Sequence, residues 1–300
     1  MTASTIYYSG LRAIGLTAAR RRRQRDGVIL CYHNVVRGEQ DRAGEASLHI
    51  ARPRFERQMR WLAANYDVVP LREFVGRFAA GASLAHLAAI TFDDGYAGVF
   101  EHAVPVLRSL RLPATVFVVA EAPNSRRGFW WDEPVVASSA TPERCDRWLK
   151  ELQGDGALIL GKLGGPRDVD PPGTHRACDW RTIRAAIGDG IEIGVHSATH
   201  RALPQVSAEE LEREIVNSRA IVRLATGTDP LFFAYPYGLA SPNVRRKVRM
   251  AGYRAGFGLG DGFVGAAADR WELPRLNIPS SLSHAGFEAW TAGLRARRAS

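Results

Sequence analysis

Two adjacent carboxylates, Asp93 and Asp94, follow the apolar run Ala88-Ala89-Ile90-Thr91-Phe92 and precede Gly95. Farther along, Ile191-Glu192-Ile193-Gly194-Val195 runs out into His196-Ser197-Ala198-Thr199-His200, a His-x-x-x-His pair. A third run, Val28-Ile29-Leu30-Cys31-Tyr32, ends on His33. Ionisable groups are costly inside a core, so at the ends of buried strands they mark a cleft where they meet something. One aspartate with two histidines is a donor set for a divalent metal that leaves positions open for water and substrate. The second aspartate is then left over as a base beside that metal. Each motif alone has a plainer reading. Asp-Asp-Gly suits a turn, His-x-x-x-His suits two exposed helix histidines, and Tyr32-His33 suits a buried, hydrogen-bonded imidazole. The coincidence of the first two, each directly after a β-type run, favours the metal site. His49, His86, His102, His175 and His284 lack a partner pattern and read as ordinary.

The elements that must hold these residues alternate between strand and helix. Phe55, Met59 and Leu62 mark a helix after the His33 strand, followed by a short strand from Tyr66 to Val69. Val99, Ala103, Val106 and Leu107 mark another after Asp94, with Pro105 kinking or restarting it. Ala114 to Val119 is a buried β run, and Trp180 to Ile187 a short helix. Ser207-Ala208-Glu209-Glu210 is a capping box opening a helix with Leu211, Ile215 and Val222 on one face. Leu231 to Ala234 reads as a strand, and Ser241, Pro242 and Gly252 bracket a basic helix. Tyr253 to Leu259 and Glu272 to Ile278 read as closing strands. This rhythm predicts an α/β fold, a parallel sheet or barrel with its active residues at the carboxyl ends of strands. Residues 121–177 break the rhythm and read as an inserted cap; its Trp130 and Trp131 are either core or a wall on which a sugar stacks.

The 300 residues, 46% hydrophobic, suffice for one large core or a core with a small cap. The net charge of +9 is concentrated in Arg20 to Arg23 with Arg25, in Arg245, Arg246, Lys247 and Arg249, and in Arg295, Arg297 and Arg298. No nucleic-acid module accompanies these clusters, so nucleic acid is not an expected partner. Cys31, Cys145 and Cys178 are too few and too irregular for a disulfide framework and suit a reducing compartment. No apolar stretch reaches the roughly 18 residues of a membrane span. Residues 1–26 read as a basic N-terminal segment without the features of a signal peptide. Ile6, Tyr7, Leu11, Ile14 and Leu16 before the arginines suit either an amphipathic contact with an anionic membrane or a helix packed on the barrel exterior.

Taken together, these residues resemble the polysaccharide deacetylases of the NodB-homology type, carbohydrate esterase family 4. The likeness spans Val28 to Ile278, and implies that residues 27–300 form one distorted (β/α) barrel of NodB type with the cap inserted. Thr91-Phe92-Asp93-Asp94-Gly95 resembles the family's first motif, which makes Asp93 the general base and Asp94 a metal ligand. His196-Ser197-Ala198-Thr199-His200 resembles the second, which supplies two metal imidazoles. Phe233-Ala234-Tyr235-Pro236-Tyr237-Gly238 resembles the third, a groove wall that would bring Tyr235 to the substrate and use the Tyr237 amide to hold an oxyanion. Ala234 stands where that motif has arginine, and Arg275, in Leu273-Pro274-Arg275-Leu276-Asn277, is the expected substitute. Leu282-Ser283-His284 spells the usual histidine motif with no strong strand leading in. Some members similar to poly-N-acetylglucosamine deacetylases are circularly permuted and carry that histidine on the first strand, which makes His33 the expected general acid.

The resemblance implies metal-dependent removal of N-acetyl groups from amino sugars of a poly- or oligosaccharide or a lipid-linked saccharide, as in exopolysaccharide biosynthesis. Zinc is the default metal, with Co, Ni or Fe suited to the same donors. The expected place of action is the cytoplasm, either free or at the inner membrane face. The rivals are an acetyl-ester or cyclic-amide hydrolase on the same fold, a non-catalytic glycan-binding homologue, and a non-haem iron oxygenase, which the extra Asp93 disfavours.

Overall fold

The computed structural model describes residues 2–125, 128–165 and 171–295; Arg297 and Arg298 of the basic tail, and part of the Gly/Pro-rich stretch at 161–173, lie outside them. The strands in chain order are β1 (Gly27–Tyr32), β2 (Asn34–Val36), β3 (His49–Ala51), β4 (Asp67–Val68), β5 (Leu87–Phe92), β6 (Ala114–Val118), β7 (Ile191–Val195), β8 (Phe232–Ala234), β9 (Ala255–Phe257), β10 (Phe263–Val264) and β11 (Leu276–Asn277). Every residue of β1, β5 and β6 is buried, as expected of parallel strands covered on both faces. The main sheet runs β10-β1-β5-β6-β7-β8-β9, with β4 beside β5 and β11 beside β1; β2 and β3 pair separately.

All of these pairings are parallel except β10 with β1, where Gly27 faces Val264. The segment from Leu273 to Asn277 connects the two ends of the sheet. Leu273 bridges to Phe257 of β9, and Leu276 pairs with Leu30 of β1. The sheet is thus a curled half-barrel of NodB type, in line with the expected architecture. The expected closing strands are real but short. Pro274 has no N–H to give to a ladder, and β11 is confined to two residues beyond it.

The helix Arg52–Asn65 buries Phe55, Met59 and Leu62 as their spacing requires, and Trp180–Ile187 is helical throughout. Ser207 forms its capping box with Glu210. The helix it opens is not uniform. Ala208–Leu211 passes into a π-helical stretch, Glu212–Asn217, before α-helix resumes at Ser218–Thr226. A second π-helical stretch, Val99–Ala103, precedes Val104–Leu110 and takes up the missing donor at Pro105 without breaking the helix.

The cap follows β6 and contains the helices Pro134–Ala137, Pro142–Glu151 and Gly156–Lys162, packed around Val136, Trp148, Leu152 and Ile159. At the other end of the chain the helix Ala3–Ala13 lies on His284–Thr291, with Tyr8 buried against Ala285 and Ala289. The Trp290 indole donates to the Tyr8 hydroxyl at 2.8 Å. Among the described residues no helix is long and apolar enough to cross a membrane.

Candidate active site

Parallel register brings the three motifs together. Tyr32 pairs with Phe92, Thr91 with Thr115, and Val118 with Val195, so His33, Asp93 and His196 leave the same end of the sheet. The turns beyond are strained: Asp94 (φ 69°), Ser197 (φ 63°), His200 (φ 64°) and Tyr237 (φ 59°) all adopt left-handed backbone without being glycine. Such conformations persist only where the surroundings enforce them, and they cluster where function requires a particular aim.

Ligand atoms of Asp94, His196 and His200 lie within 4.8 Å of one another, and all three residues are buried. Asp94 Oδ1 is 3.6 Å from His196 Nε2 and 3.5 Å from His200 Nε2. His196 Nδ1 donates to the Ala234 carbonyl at 2.9 Å, which leaves Nε2 with its lone pair facing Asp94. Burial holds both imidazoles below their ordinary pKa, His200 further because His196 is beside it. Burial, and then the neighbouring Asp93 and Asp132, push Asp94 well above the usual carboxylate range. Asp94 Oδ1 accepts no hydrogen bond at all. A buried carboxylate oxygen without a donor, facing imidazole lone pairs, is the environment a divalent cation would satisfy.

Asp93 is held differently. Arg275 donates from Nη1 to Oδ1 at 2.6 Å and from Nη2 to Oδ2 at 2.7 Å, a two-pronged pair with neither partner exposed. Burial alone would raise the Asp93 pKa, but Arg275 and then His196 outweigh it and hold the carboxyl well below the usual range. The guanidinium is itself fixed by the Gly258 carbonyl at 3.1 Å and lies over the Phe117 ring. Arg275 therefore occupies the place expected of it, carried there by the segment that closes the barrel. Ala234 contributes only its carbonyl, to His196.

His33, just beyond β1, lies with Asp93 and Cys31 in a second group whose ligand atoms are within 4.8 Å of one another. Burial lowers its pKa to about 4, against the pull of Asp93. His284 is elsewhere, at the start of its helix and 3.3 Å from Glu288.

A cavity of about 270 Å³ opens over the cluster and is lined by His33, Asp93, Asp94, His196, His200 and Tyr237 on the barrel side. Trp130 and Trp131 line it from the cap. Trp131 stacks on Phe129 and stands 4.4 Å from the His200 ring. A larger cavity of about 480 Å³, near Arg37, Glu101 and Thr174, contains none of these residues. Tyr235 corrects an expectation: it is fully buried, its hydroxyl donates to the Trp271 carbonyl at 2.6 Å, and it does not reach the cavity. Alternation along an extended segment turns it inward.

Several supporting residues were not anticipated. Glu214, on the π-helical stretch, accepts from the amides of Ala198 and Thr199 at 3.0 and 2.9 Å and so holds the loop between the two histidines. The available signal was a glutamate beside Leu211, Ile215 and Ser218 on the inward face. Asp132 of the cap accepts from the Glu45 amide and the Tyr96 hydroxyl, and pairs with His49 Nε2 at 2.9 Å. Tyr96 in turn accepts from the Trp131 indole at 2.7 Å. His49, read as ordinary, thus belongs to the network that ties the cap to the barrel; His175 packs on its ring at 4.3 Å.

A half-barrel with carboxylate and imidazole groups converging at its strand ends defines the NodB-homology class, and comparison with known proteins agrees. The family profile for polysaccharide deacetylases matches residues 81–256. The protein YxkH of Bacillus subtilis (strain 168) is 20% identical over 269 residues, 89% of this chain and 76% of that one. Poly-beta-1,6-N-acetyl-D-glucosamine N-deacetylase of Escherichia coli (strain K12) is 25% identical over 272 residues, 85% of this chain but only 37% of the relative. The solved structure of IcaB from Ammonifex degensii superposes with a TM-score of 0.63 at 20% identity, covering 90% of this chain and 98% of that one. The chain belongs to the polysaccharide deacetylase family, hydrolases that act on acetylated carbohydrate.

Proposed function

We propose that the protein hydrolyses the N-acetyl group of an amino sugar in a glycan or glycolipid, with a divalent metal held by Asp94, His196 and His200. The observation that carries this reading is the unlike treatment of two adjacent carboxylates. Asp93 is kept ionised by Arg275, while Asp94 is left without a hydrogen-bond donor between two neutral imidazoles. A divalent cation there, zinc by default or Co, Ni or Fe, would polarise the acetyl carbonyl and make water easier to deprotonate. Asp93 takes the proton from the attacking water, and Arg275 keeps the carboxylate anionic and fixed until it does. To the amide of Tyr237, which lines the cavity, we assign the holding of the negative charge that develops on the acetyl oxygen. His33 rests neutral at neutral pH; within 4.8 Å of Asp93, it can receive the water's proton and pass it to the departing nitrogen. The amino-sugar substrate is supported by the name of the Escherichia coli relative, and we propose exopolysaccharide biosynthesis as the setting.

Measuring bound metal and acetate release on a panel of N-acetylated glycans tests this. Asp94→Ala, His196→Ala and His200→Ala should each lose metal and turnover together. Asp93→Asn should keep metal and fold while turnover falls by at least about a hundredfold. Near-normal turnover by Asp93→Asn would show the mechanism to be wrong.

We also place the protein on the cytoplasmic face of a membrane, with no role for nucleic acid. Support comes from the outer side of the N-terminal helices. Ile6, Tyr7, Ile14 and Leu16 are exposed there, next to the exposed Arg20, Arg22, Arg23 and Arg25. A helix docked only on its own domain would turn polar residues outward. Apolar residues flanked by arginines match an anionic lipid surface. Three unpaired cysteines suit a reducing compartment.

A further inference from the structure

The cavity wall facing the ligand cluster is poorly suited to a chain of sugars. Beyond the Asp94, His196 and His200 cluster, the Trp130 indole nitrogen has no hydrogen-bond partner, while other polar groups of the wall are engaged. Asp93 is held by Arg275, the Tyr237 hydroxyl donates to the His200 carbonyl, and the Glu45 carboxylate accepts from Ser47. Asn277 adds one amide, but Leu48, Val136, Ala137, Trp148, Leu149 and Leu259 make most of the wall on the cap side and at the mouth apolar. It runs from the buried Val136 and Trp148 outward to Leu259, which is 37% exposed. Each further sugar of an extended glycan brings hydroxyls that give up water on entry and need new partners. An alkyl chain needs none and gains from leaving water.

We propose that the substrate is a lipid-linked amino sugar, whose N-acetyl group reaches Asp93 and the ligand trio while its apolar aglycone lies along the cap wall toward Leu259. This rests on the deacetylase reading and adds the class of aglycone. Hydrolysis should be followed on N-acetylglucosamine glycosides with methyl, butyl and octyl aglycones, each below its micellar concentration, beside a water-soluble N-acetylglucosamine oligomer. The expected result is a kcat/KM that rises with chain length, by up to about fourfold for each methylene the wall covers. The oligomer should do no better than the methyl glycoside. Leu149→Asn and Leu259→Ser, both at incompletely buried positions, should flatten the dependence on chain length. A kcat/KM independent of chain length, or an oligomer preferred over the octyl glycoside, overturns the proposal while leaving deacetylation intact. Should no glycoside release acetate, the deacetylase reading itself fails. Tryptophan fluorescence of Asp93→Asn protein then decides the wall separately: tighter binding of the octyl than the methyl glycoside supports an apolar aglycone site, and equal binding overturns it.

Discussion

A buried carboxylate keeps its charge only if something opposite compensates it, and for Asp93 that group is Arg275. Replacing Arg275 with alanine leaves burial as the chief influence, so the Asp93 pKa must rise. In the wild type, the depressed pKa contributes stability that is present above the unfolded carboxylate pKa, about 4, and is lost as pH falls below it. Arg275→Ala should therefore move the acid limb of the kcat/KM profile to higher pH, and lower stability by about 3–5 kcal/mol in denaturant titration. Arg275→Lys, which keeps the charge but not the fork, should recover part of the shift. An acid limb that stays in place would show that Arg275 does not set the ionisation of Asp93. His33 is tested by leaving group. His33→Ala should suppress amide hydrolysis far more than hydrolysis of an activated acetyl ester, whose leaving group hardly needs a proton. His284→Ala should be nearly silent, since its imidazole faces Glu288. Equal losses on amide and ester would reduce His33 to a structural role. Asp93, Asp94, His196 and His200 were legible because each pair is local in sequence and follows an apolar run. Tyr235 was misread because the motif fixes its neighbours, not the face of the segment it occupies.

At the level of elements, what the sequence hid is what acts across long separations. The apolar periods located the helix Trp180–Ile187 and the capping box at Ser207, since both depend on residues a few positions apart. The π-helical stretch Glu212–Asn217 leaves no periodic trace, yet it carries Glu214 to the loop between His196 and His200. Removing this support should loosen the site without touching a ligand. Glu214→Ala is expected to weaken metal binding by about 10–100-fold in a competition titration while the fold persists. Unchanged affinity would mean that the strained backbone at Ser197 and His200 holds itself. Likewise, nothing near Asp132 announces that it joins Tyr96, His49 and the Glu45 amide, because those partners lie tens of residues away.

At the scale of the whole molecule, the N-terminal helices carry exposed Ile6, Tyr7, Ile14 and Leu16 together with exposed Arg20, Arg22, Arg23 and Arg25. Sedimentation with vesicles should show binding when anionic phospholipid is present and little with neutral lipid alone. Replacing Arg20, Arg22, Arg23 and Arg25 with glutamine should abolish it, and salt should weaken it. Binding that ignores lipid charge would remove the arginines from the interaction, and retention on nucleic acid instead would redirect the basic patch. Fold class was readable at this scale because strand and helix alternate, and the closing strands were readable though drawn too long, but the antiparallel β10 was not, since it rests on two residues with little to signal them. That closure bears on biosynthesis. The Asp93 carboxylate and its counter-ion, Arg275, lie 182 residues apart in the chain. Until Arg275 has left the ribosome, the nascent protein lacks the cation beside which Asp93 is buried, and the strand that joins β9 to β1 does not yet exist. Proteins made by chains stopped short of Arg275 should thus remain open at this seam, with the Asp93 carboxylate wet.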